Sequence, residues 1–569
     1  MGQYINIGKE LLPLLLLVAF FSALTFHNLG DREAPQTVWS EDRSVIIDFG
    51  EPVYISRFQF MLGQRNDVDF MLFASLDGNE WHFTKHVSDN PVFAWSELPM
   101  DTFAKYAQIV PFGPGLRLQE IAFRDSHDHL LVPFQTFSDW EIDRALFDEQ
   151  HLVPTSRSFR NSTYFDEIYH ARTAYEFLHG LPVFEVTHPP MGKNFIAMGI
   201  SAFGMTPFGW RFAGTMAGIL MIPLMYIFGR VVFRSPFWGM FTATIFAFDF
   251  MTFAQTRIAT IDSYIVLFVI ASYLCMFIYV RDAEDMPLKK SLLTLLGAGV
   301  FIGLAIASKW QGVYAAVGLP FVFFPTWYKV YKIEPKGAWI TFASCFLFFL
   351  AIPISIYALS YIPFVNSMDR GYGFLSTVIA NQEHMFTYHA RLTEGHTFSS
   401  RWWEWPLITR PIFYYVNRVS PYISQGKSSF GNPAVWWTGI FATVAAARAL
   451  FISENNTGQN GKIAGNNMSE NQLIVLFLLI AYAAQYLPWV FVFRATFIYH
   501  YFPSVPFVVL LIAFCFKNFI TPKFSKAPWI YGAVVMGLFF LFYPVLSGSP
   551  VFVDFVHRWL RWFPAWVLV

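Results

Sequence analysis

At residues 209–229 the chain reads GWRFAGTMAGILMIPLMYIFG. That is an apolar run long enough to cross a bilayer, for which a helix needs about 20 residues. Comparable runs lie near 11–29, 236–254, 263–281, 290–307, 311–328, 338–361, 433–452, 471–493, 502–517 and 529–547, which makes about 11 transmembrane helices. Composition agrees. Of 569 residues, 55% are hydrophobic, 20% aromatic and only 14% charged, whereas a soluble domain carries roughly 25% charged residues. The sequence therefore describes an α-helical polytopic membrane protein, with the lipid bilayer as its first partner. Formal net charge is zero, so nothing points to nucleic acid. Cys275, Cys345 and Cys515 fall inside apolar runs and read as packing residues rather than disulfides or metal ligands. The run at 11–29 lacks a clean small-x-small cleavage site and reads as a retained first helix, not a signal peptide.

Lys and Arg in short loops set orientation. Arg230 and Arg234; Arg281, Lys289 and Lys290; Lys329, Lys332 and Lys336; Arg448 and Lys462; and Lys517, Lys523 and Lys526 occupy every second connection. With an odd span count this places the N-terminus in the cytoplasm, and the intervening loops and the C-terminus outside a cell membrane. Lys193, Arg257, Lys309 and Arg494 sit in the other connections and break the rule, which asks for a functional reason.

Two outer segments are long. Residues 31–135 alternate apolar and polar residues between Gly, Asp and Pro turns, as in RSVIIDFG, ISRFQFML and LQEIAFRD. That pattern predicts an antiparallel β-sandwich inserted after the first helix (1–30), and it resembles discoidin-type, carbohydrate-binding-like jelly rolls. Residues 136–569 then form the membrane domain, with an external loop at 153–207 and a large one at 362–432. The segment Asn194–Met205 is apolar but too short to cross, so it is expected along the interface. The polar stretch SENNTGQNGKIAGNNMSENQ (453–472) is expected in a cytoplasmic loop.

Ionisable residues gather in the external connections. In YFDEIYHARTAYEFLHGLPVFEVTHPPMGK (164–193), Tyr164, Ile168, Ala171, Tyr175 and Leu178 share one helical face, with Asp166, Glu167, His170 and Glu176 off it. This predicts a helix over Tyr164–His179 that stops at Gly180. A solvated polar face explains the acids as readily as a site does. In TRIATID, Arg257 and Asp262 bracket the junction of two spans, and ASKWQG puts Lys309 where two apolar runs nearly touch. An ionisable group in a membrane is costly unless it works, although a Lys near the interface can snorkel. Several cations on one face with acids beside them favour a site that holds an anion. The loop 381–411 adds His389, His396, Arg401, Trp402, Trp403 and Glu404. Their aromatic faces and polar heads suit a sugar or a plain interfacial belt alike. The histidine spacing does not suit a metal site, and no cofactor is expected.

YFDEIYH, HPPMGK, FGWRFAGTMAGILMIPLMY, RIATID, SKWQG, SSRWWEWPLITRPIFYY, RATFIYHYFPSVPF and SGSPV…WFPAW follow one another as blocks do in the protein O-mannosyltransferase family, which the chain resembles over roughly 1–30 and 155–569. It lacks the lumenal β-trefoil repeats of the eukaryotic members and carries the 31–135 insertion, which suggests a bacterial-type member. The resemblance implies the C-type glycosyltransferase fold, a polyprenyl-phosphate-linked sugar (mannose) as donor, and a protein acceptor modified on Ser or Thr. It implies Asp166 as the catalytic carboxylate with Glu167 beside it. A base must take the acceptor proton, and the leaving phosphate needs positive charge more than a proton. Arg257, Lys309 and Arg494 are the expected phosphate ligands. His188, Lys193 and Asp262 are expected to bind substrate or hold structure. One carboxylate and no enzyme nucleophile imply inversion at the anomeric carbon.

An alternative keeps this donor and gives a cell-envelope glycan or lipid as acceptor, recruited by the sandwich. A transporter would show inverted repeats and charged midplane spans, and neither is found.

Overall fold

The structure, a computed structural model, describes residues 7–65, 67–88, 90–137, 139–368, 373–392, 395–451 and 469–569. Helix α1 (Ile7–Phe26) leads into strands β1 (Val45–Leu62), β2 (Phe70–Ser75), β3 (His82–Val87), β4 (Trp95–Pro111), β5 (Leu118–Arg124), β6 (Leu130–Leu131) and β7 (Gln135–Thr136). There follow α2 (Trp140–Asp143), α3 (Glu167–His179), α4 (Met191–Phe203), α5 (Pro207–Phe233), α6 (Pro236–Ala247), α7 (Phe250–Gln255), α8 (Asp262–Asp282), α9 (Leu288–Ser308) and α10 (Gly312–Ile333). Next come α11 (Pro335–Phe346), α12 (Ile352–Ser360), α13 (Ile362–Ser367), α14 (Phe374–Arg391), β8 (Ile412–Arg418) and β9 (Ile423–Ser429). The chain ends with α15 (Pro433–Ala449), α16 (Glu470–Tyr486), α17 (Val505–Cys515), α18 (Ala527–Ser547) and β10 (Val551–Phe552). These elements fall into two compact units: Asn28–Phe184 with Ile196–Phe212, and the remainder.

The helical unit is membrane-embedded. Helices underlie every one of the predicted runs, and among the described residues 7 are long and apolar enough to cross: Pro207–Phe233, Asp262–Asp282, Leu288–Ser308, Pro335–Ser367, Glu470–Phe491, Ile498–Ile520 and Ala527–Ser547. These helices do not confirm the expected count of about 11. The run 236–254 breaks at Asp249, whose carboxylate accepts the Met251 and Thr252 amides at 3.1 and 3.3 Å and caps α7. The run 311–328 carries Pro320 and Pro325 inside α10. Small residues let these helices touch: a Cβ on Gly299 would lie 2.1 Å from the Phe348 carbonyl oxygen. Lys462 and most of the Asn-rich stretch 453–472 lie outside the described residues.

The other unit holds one antiparallel sheet in the order β3-β2-β4-β1-β5-β6, with β7 on β1. Strands β1 and β4 span 18 and 17 residues, and a register shift between Asp48 and Val53 lets the long pair bend. Ile47, Ile55, Phe58, Phe60, Ala107 and Phe123 lie in its shared core at 0% exposure. This sheet supports the predicted β-domain and, loosely, its discoidin-like character. Trp39 Nε1 and the Arg43 guanidinium both donate to buried Asp143, pinning α2 to the sheet.

Glu120, on the inner strand β5, is buried at 0% exposure, and burial pushes its carboxyl up to about 8 despite bonds from the Gln150 amide and the Glu149 N–H. A carboxyl raised in the fold above its unfolded value near 4.3 contributes stability that is complete below that value and disappears as pH rises through about 8. The melting temperature is therefore expected to fall between roughly pH 5 and pH 9. Glu120→Gln should remove part of that fall, as read by a thermal-shift titration of both proteins.

Candidate active site

Asp166 is built into the β-sheet unit by the turn that starts α3. The segment before it is stitched to the sheet: Thr163 N donates to Phe93 O at 3.0 Å, its hydroxyl to Val92 O at 2.7 Å, and Trp95 N to Ser162 Oγ at 3.0 Å. Phe165 then takes φ +51°, a strained left-handed turn for a non-glycine residue. Asp166 occupies the N-cap, and its carbonyl accepts the Tyr169 and His170 amides, both at 3.1 Å. The carboxylate is half-buried at the helix N-terminus, where the dipole favours negative charge.

Glu167, expected beside Asp166 as a catalytic carboxylate, lies in a buried ion pair. It is 0% exposed and takes the Arg211 guanidinium on both oxygens, Nε to Oε1 and Nη2 to Oε2, each at 2.7 Å. Arg211, equally buried, spends its remaining donors on the carbonyls of Leu29, Phe159 and Ser162. The pair ties α5 to the turn that carries Asp166. Burial on α3 is not confined to the predicted apolar face, of which Tyr164 and Ala171 are buried. Glu167, His170, Arg172, Thr173 and Glu176 are buried, whereas Tyr169 and Leu178 are exposed. Arg172 pairs with Glu176 at 2.9 Å and lies over the Phe184 ring, and the Glu176 carboxyl is pushed up by burial. Gly180, at φ +61°, ends the helix as predicted, while the start moves from Tyr164 to Glu167.

In the helical unit a set of cations and imidazoles converges. Lys309 Nζ donates to Asp262 Oδ1 at 2.7 Å, across the α8 and α9 ends. Asp262 Oδ2 accepts from the Gln255 amide, whose oxygen accepts Tyr414 OH at 2.5 Å. The His188 and His389 rings meet edge to face with centroids 5.4 Å apart, and His389 Nε2 donates to Thr187 O at 3.0 Å. Burial, then the charges of His188, Arg494 and Lys309, hold His389 down at about 4. Trp310 Nε1, next to Lys309, reaches Tyr357 OH at 3.0 Å, which in turn donates to Gln382 at 2.6 Å. Positive charge, neutral imidazole and hydrogen-bonding aromatics together suit a phosphorylated ligand.

Other expected residues are engaged within the fold. Arg257 is 0% exposed and donates to the carbonyls of Thr25, His27 and Ser547, which closes the ends of α1 and α18. Lys193, also 0% exposed, donates to the Glu185 carboxylate and to the carbonyls of Glu185 and His188. Glu404 accepts the Arg401 amide and the Thr409 hydroxyl within its own turn, Arg401 lies over Trp403, and Trp402 packs on Tyr486. His396 accepts the Phe398 amide and packs on Phe497. Sequence reading missed Arg211, Glu185, Gln255 and Tyr414. Only Arg211 carried a signal, a lone charge in an apolar run. Among the described residues the carboxylates placed closely enough to share a cation are Glu120, Asp148 and Glu149. The backbone amides of Gln36 and Thr37 already engage Glu149.

The bundle of apolar helices has the C-type glycosyltransferase fold of a polytopic membrane protein. That fold is shared with the solved Saccharomyces cerevisiae protein O-mannosyltransferase Pmt1–Pmt2 complex bound to the sugar donor, at a TM-score of 0.62 and 14% identity over 71% of this chain and 89% of that one. Residues 202–367 match the family described as dolichyl-phosphate-mannose-protein mannosyltransferase, and 374–566 match the C-terminal four-transmembrane region of protein O-mannosyltransferase. The chain is 25% identical over 470 residues, 71% of its length and 86% of the relative's, to the polyprenol-phosphate-mannose–protein mannosyltransferase of Mycobacterium tuberculosis. It is 25% identical over 484 residues, 74% and 88% of the two lengths, to that of Corynebacterium glutamicum. The chain belongs to the protein O-mannosyltransferase family. The β-domain at 31–135 lies outside both matched ranges.

Proposed function

We propose that the protein transfers mannose from a polyprenyl phosphate to Ser or Thr hydroxyls of exported proteins, with inversion. The observation that carries the reading is the grouping of Lys309, paired with Asp262 at 2.7 Å, with His188 and His389, whose rings meet 5.4 Å apart and beside Trp310, which supports a phosphate site there. In the reaction, Asp166 takes the proton of the acceptor hydroxyl. The acceptor oxygen bonds to the anomeric carbon as the carbon–phosphate oxygen bond breaks, and the electron pair leaves on the phosphate. Lys309 and Arg494 stabilise that charge, so the leaving group needs no acid. Glu167 and Arg211 hold Asp166 in place. The N-terminus is assigned to the cytoplasm, with the catalytic segments and the C-terminus outside, by the Lys and Arg bias of alternate loops.

Lys309→Ala and Arg494→Ala are each expected to raise the donor KM about tenfold or more, the worth of one charge-assisted contact. Arg257→Ala should instead lower the melting temperature, because three carbonyls lose their donor. Steady-state kinetics with polyprenyl-phosphate mannose and a Ser/Thr peptide test the reading. Unchanged donor KM in both the Lys309 and Arg494 variants would remove the phosphate from this cluster.

A further inference from the structure

Helix α14 is stitched to the turn EVTHPPMGK (185–193) from two positions on one of its faces. Asn381 Nδ2 donates to Val186 O at 2.8 Å, and His389 Nε2 donates to Thr187 O at 3.0 Å. Both ends of this tie are held. The Asn381 oxygen accepts Tyr361 OH at 2.8 Å, and the Thr187 amide donates to the Glu185 carboxylate at 2.7 Å. At the next position of the helix, Gln382 accepts Tyr357 OH at 2.6 Å, and Tyr357 also receives the Trp310 indole N–H at 3.0 Å. The His389 imidazole is thereby fixed beside the Trp310 ring, 6.4 Å between centroids, and edge to face with His188.

That tie decides which lone pair the ring presents. A carbonyl only accepts, so His389 Nε2 carries a proton. Burial, before any charge nearby, holds the ring neutral, and Nδ1 is therefore an acceptor. Nδ1 is buried and has no hydrogen-bond partner among the described residues. A buried polar atom left unpaired is costly, and native folds pair nearly all of them. A lone pair repels a phosphate oxygen, but it accepts a hydroxyl. Beside it the half-buried Trp310 indole offers an apolar face, and the next residue back is Lys309, paired with Asp262. An apolar face, a cation and a neutral acceptor match the three parts of a glycosyl phosphate: ring, phosphate and hydroxyls. The reacting hydroxyl gives its proton to Asp166 in the mechanism above, so the hydroxyl left for His389 is one of the sugar's own.

We infer that His389 reads the donor sugar: its Nδ1 accepts one hydroxyl of the polyprenyl-phosphate-linked mannose, which makes it a specificity-determining residue of the transferase. The inference rests on the donor site proposed above and extends it from the phosphate to the sugar.

The test is a cycle of protein variants against donor analogues, run on the full-length protein in lipid nanodiscs with a saturating Ser/Thr peptide. The donors are polyprenyl-phosphate mannose and the deoxy analogues that each lack one sugar hydroxyl. The proteins are wild type and His389→Gln, whose amide keeps a donor for Thr187 O and withdraws the acceptor at Nδ1. Wild type is expected to lose about tenfold or more in kcat/KM with one analogue. His389→Gln should lose a similar factor with the intact donor and little more with that same analogue, while the other analogues behave alike in both proteins. The altered intrinsic reactivity of a deoxy sugar cancels in such a cycle. His389→Asn, which sets an amide oxygen near the Nδ1 position, should restore part of the discrimination. If His389→Gln fails to fold, His389→Phe runs the same cycle. Losses that add for every analogue overturn the inference and leave Nδ1 to packing or a resident water. A wild-type KM that is the same for every analogue as for the intact donor overturns it too, with no variant needed. Lys309→Ala run in parallel separates the two readings. If it leaves donor KM unchanged and no analogue couples to His389, the donor site and the sugar contact fail together. If it raises donor KM while no analogue couples, only the sugar contact fails.

Discussion

Asp166→Asn is expected to reduce transfer by about 10²- to 10⁴-fold, the usual worth of a positioned general base, with donor KM little changed. Asparagine keeps the size and the N-cap hydrogen-bonding capacity of aspartate, so the strained turn at Phe165 and the α3 start should survive. What is lost is the ability to accept the hydroxyl proton as the acceptor attacks. The loss should appear in kcat and kcat/KM together, as it does when an interaction belongs to the transition state. Near-wild-type turnover in a folded Asp166→Asn protein would remove Asp166 as the base.

The second large effect concerns the clamp under Asp166. Arg211→Met leaves the Glu167 carboxylate buried at 0% exposure without its counter-charge, and Glu167→Leu strands the guanidinium. Breaking a buried pair from one side costs about 3–5 kcal/mol, so each variant should melt well below wild type. The double variant should recover a large part of the loss, because an apolar pair of similar volume carries no desolvation penalty. Recovery should stay incomplete, since the carbonyls of Leu29, Phe159 and Ser162 still lack their donor. Activity should remain low even where the double variant folds, because a shift of about 1 Å in a reacting group costs on the order of a hundredfold. Thermal unfolding in detergent and single-turnover transfer measure the two effects separately. Additive melting losses across the cycle would show that Arg211 and Glu167 do not act as a pair.

Hydropathy made the helical bundle legible, because a membrane leaves a helix little freedom in length or composition. It could not show that Asp249 would split one apolar run into α6 and α7, since a single acid reads as a tolerated exception until its capping bonds are seen. Alternation exposed the β-domain, although not that β1 and β4 would join it into one continuous bent sheet. In α3 the same periodicity misled. Its apolar stripe suggested one buried face, yet the polar side is buried as well, held by the Arg172–Glu176 and Arg211–Glu167 pairs. Periodicity reports which residues are apolar, and it says nothing of partners that reach in from elsewhere. Arg211 lies 44 residues from Glu167, a separation no local pattern encodes. Lys309 and Asp262 were visible as charges out of place in apolar surroundings, whereas their direct pairing and the Gln255–Tyr414 chain behind them were not.

Intact-mass and fragment spectrometry of a Ser/Thr acceptor peptide, incubated with the purified wild-type protein and polyprenyl-phosphate mannose, tests the central claim most directly. The expected product is the peptide carrying one hexose on a Ser or Thr oxygen, absent with Asp166→Asn and reduced at limiting donor with Lys309→Ala. A wild-type protein that binds the donor yet leaves every peptide hydroxyl unmodified, or places the sugar on a lipid or glycan instead, would contradict it.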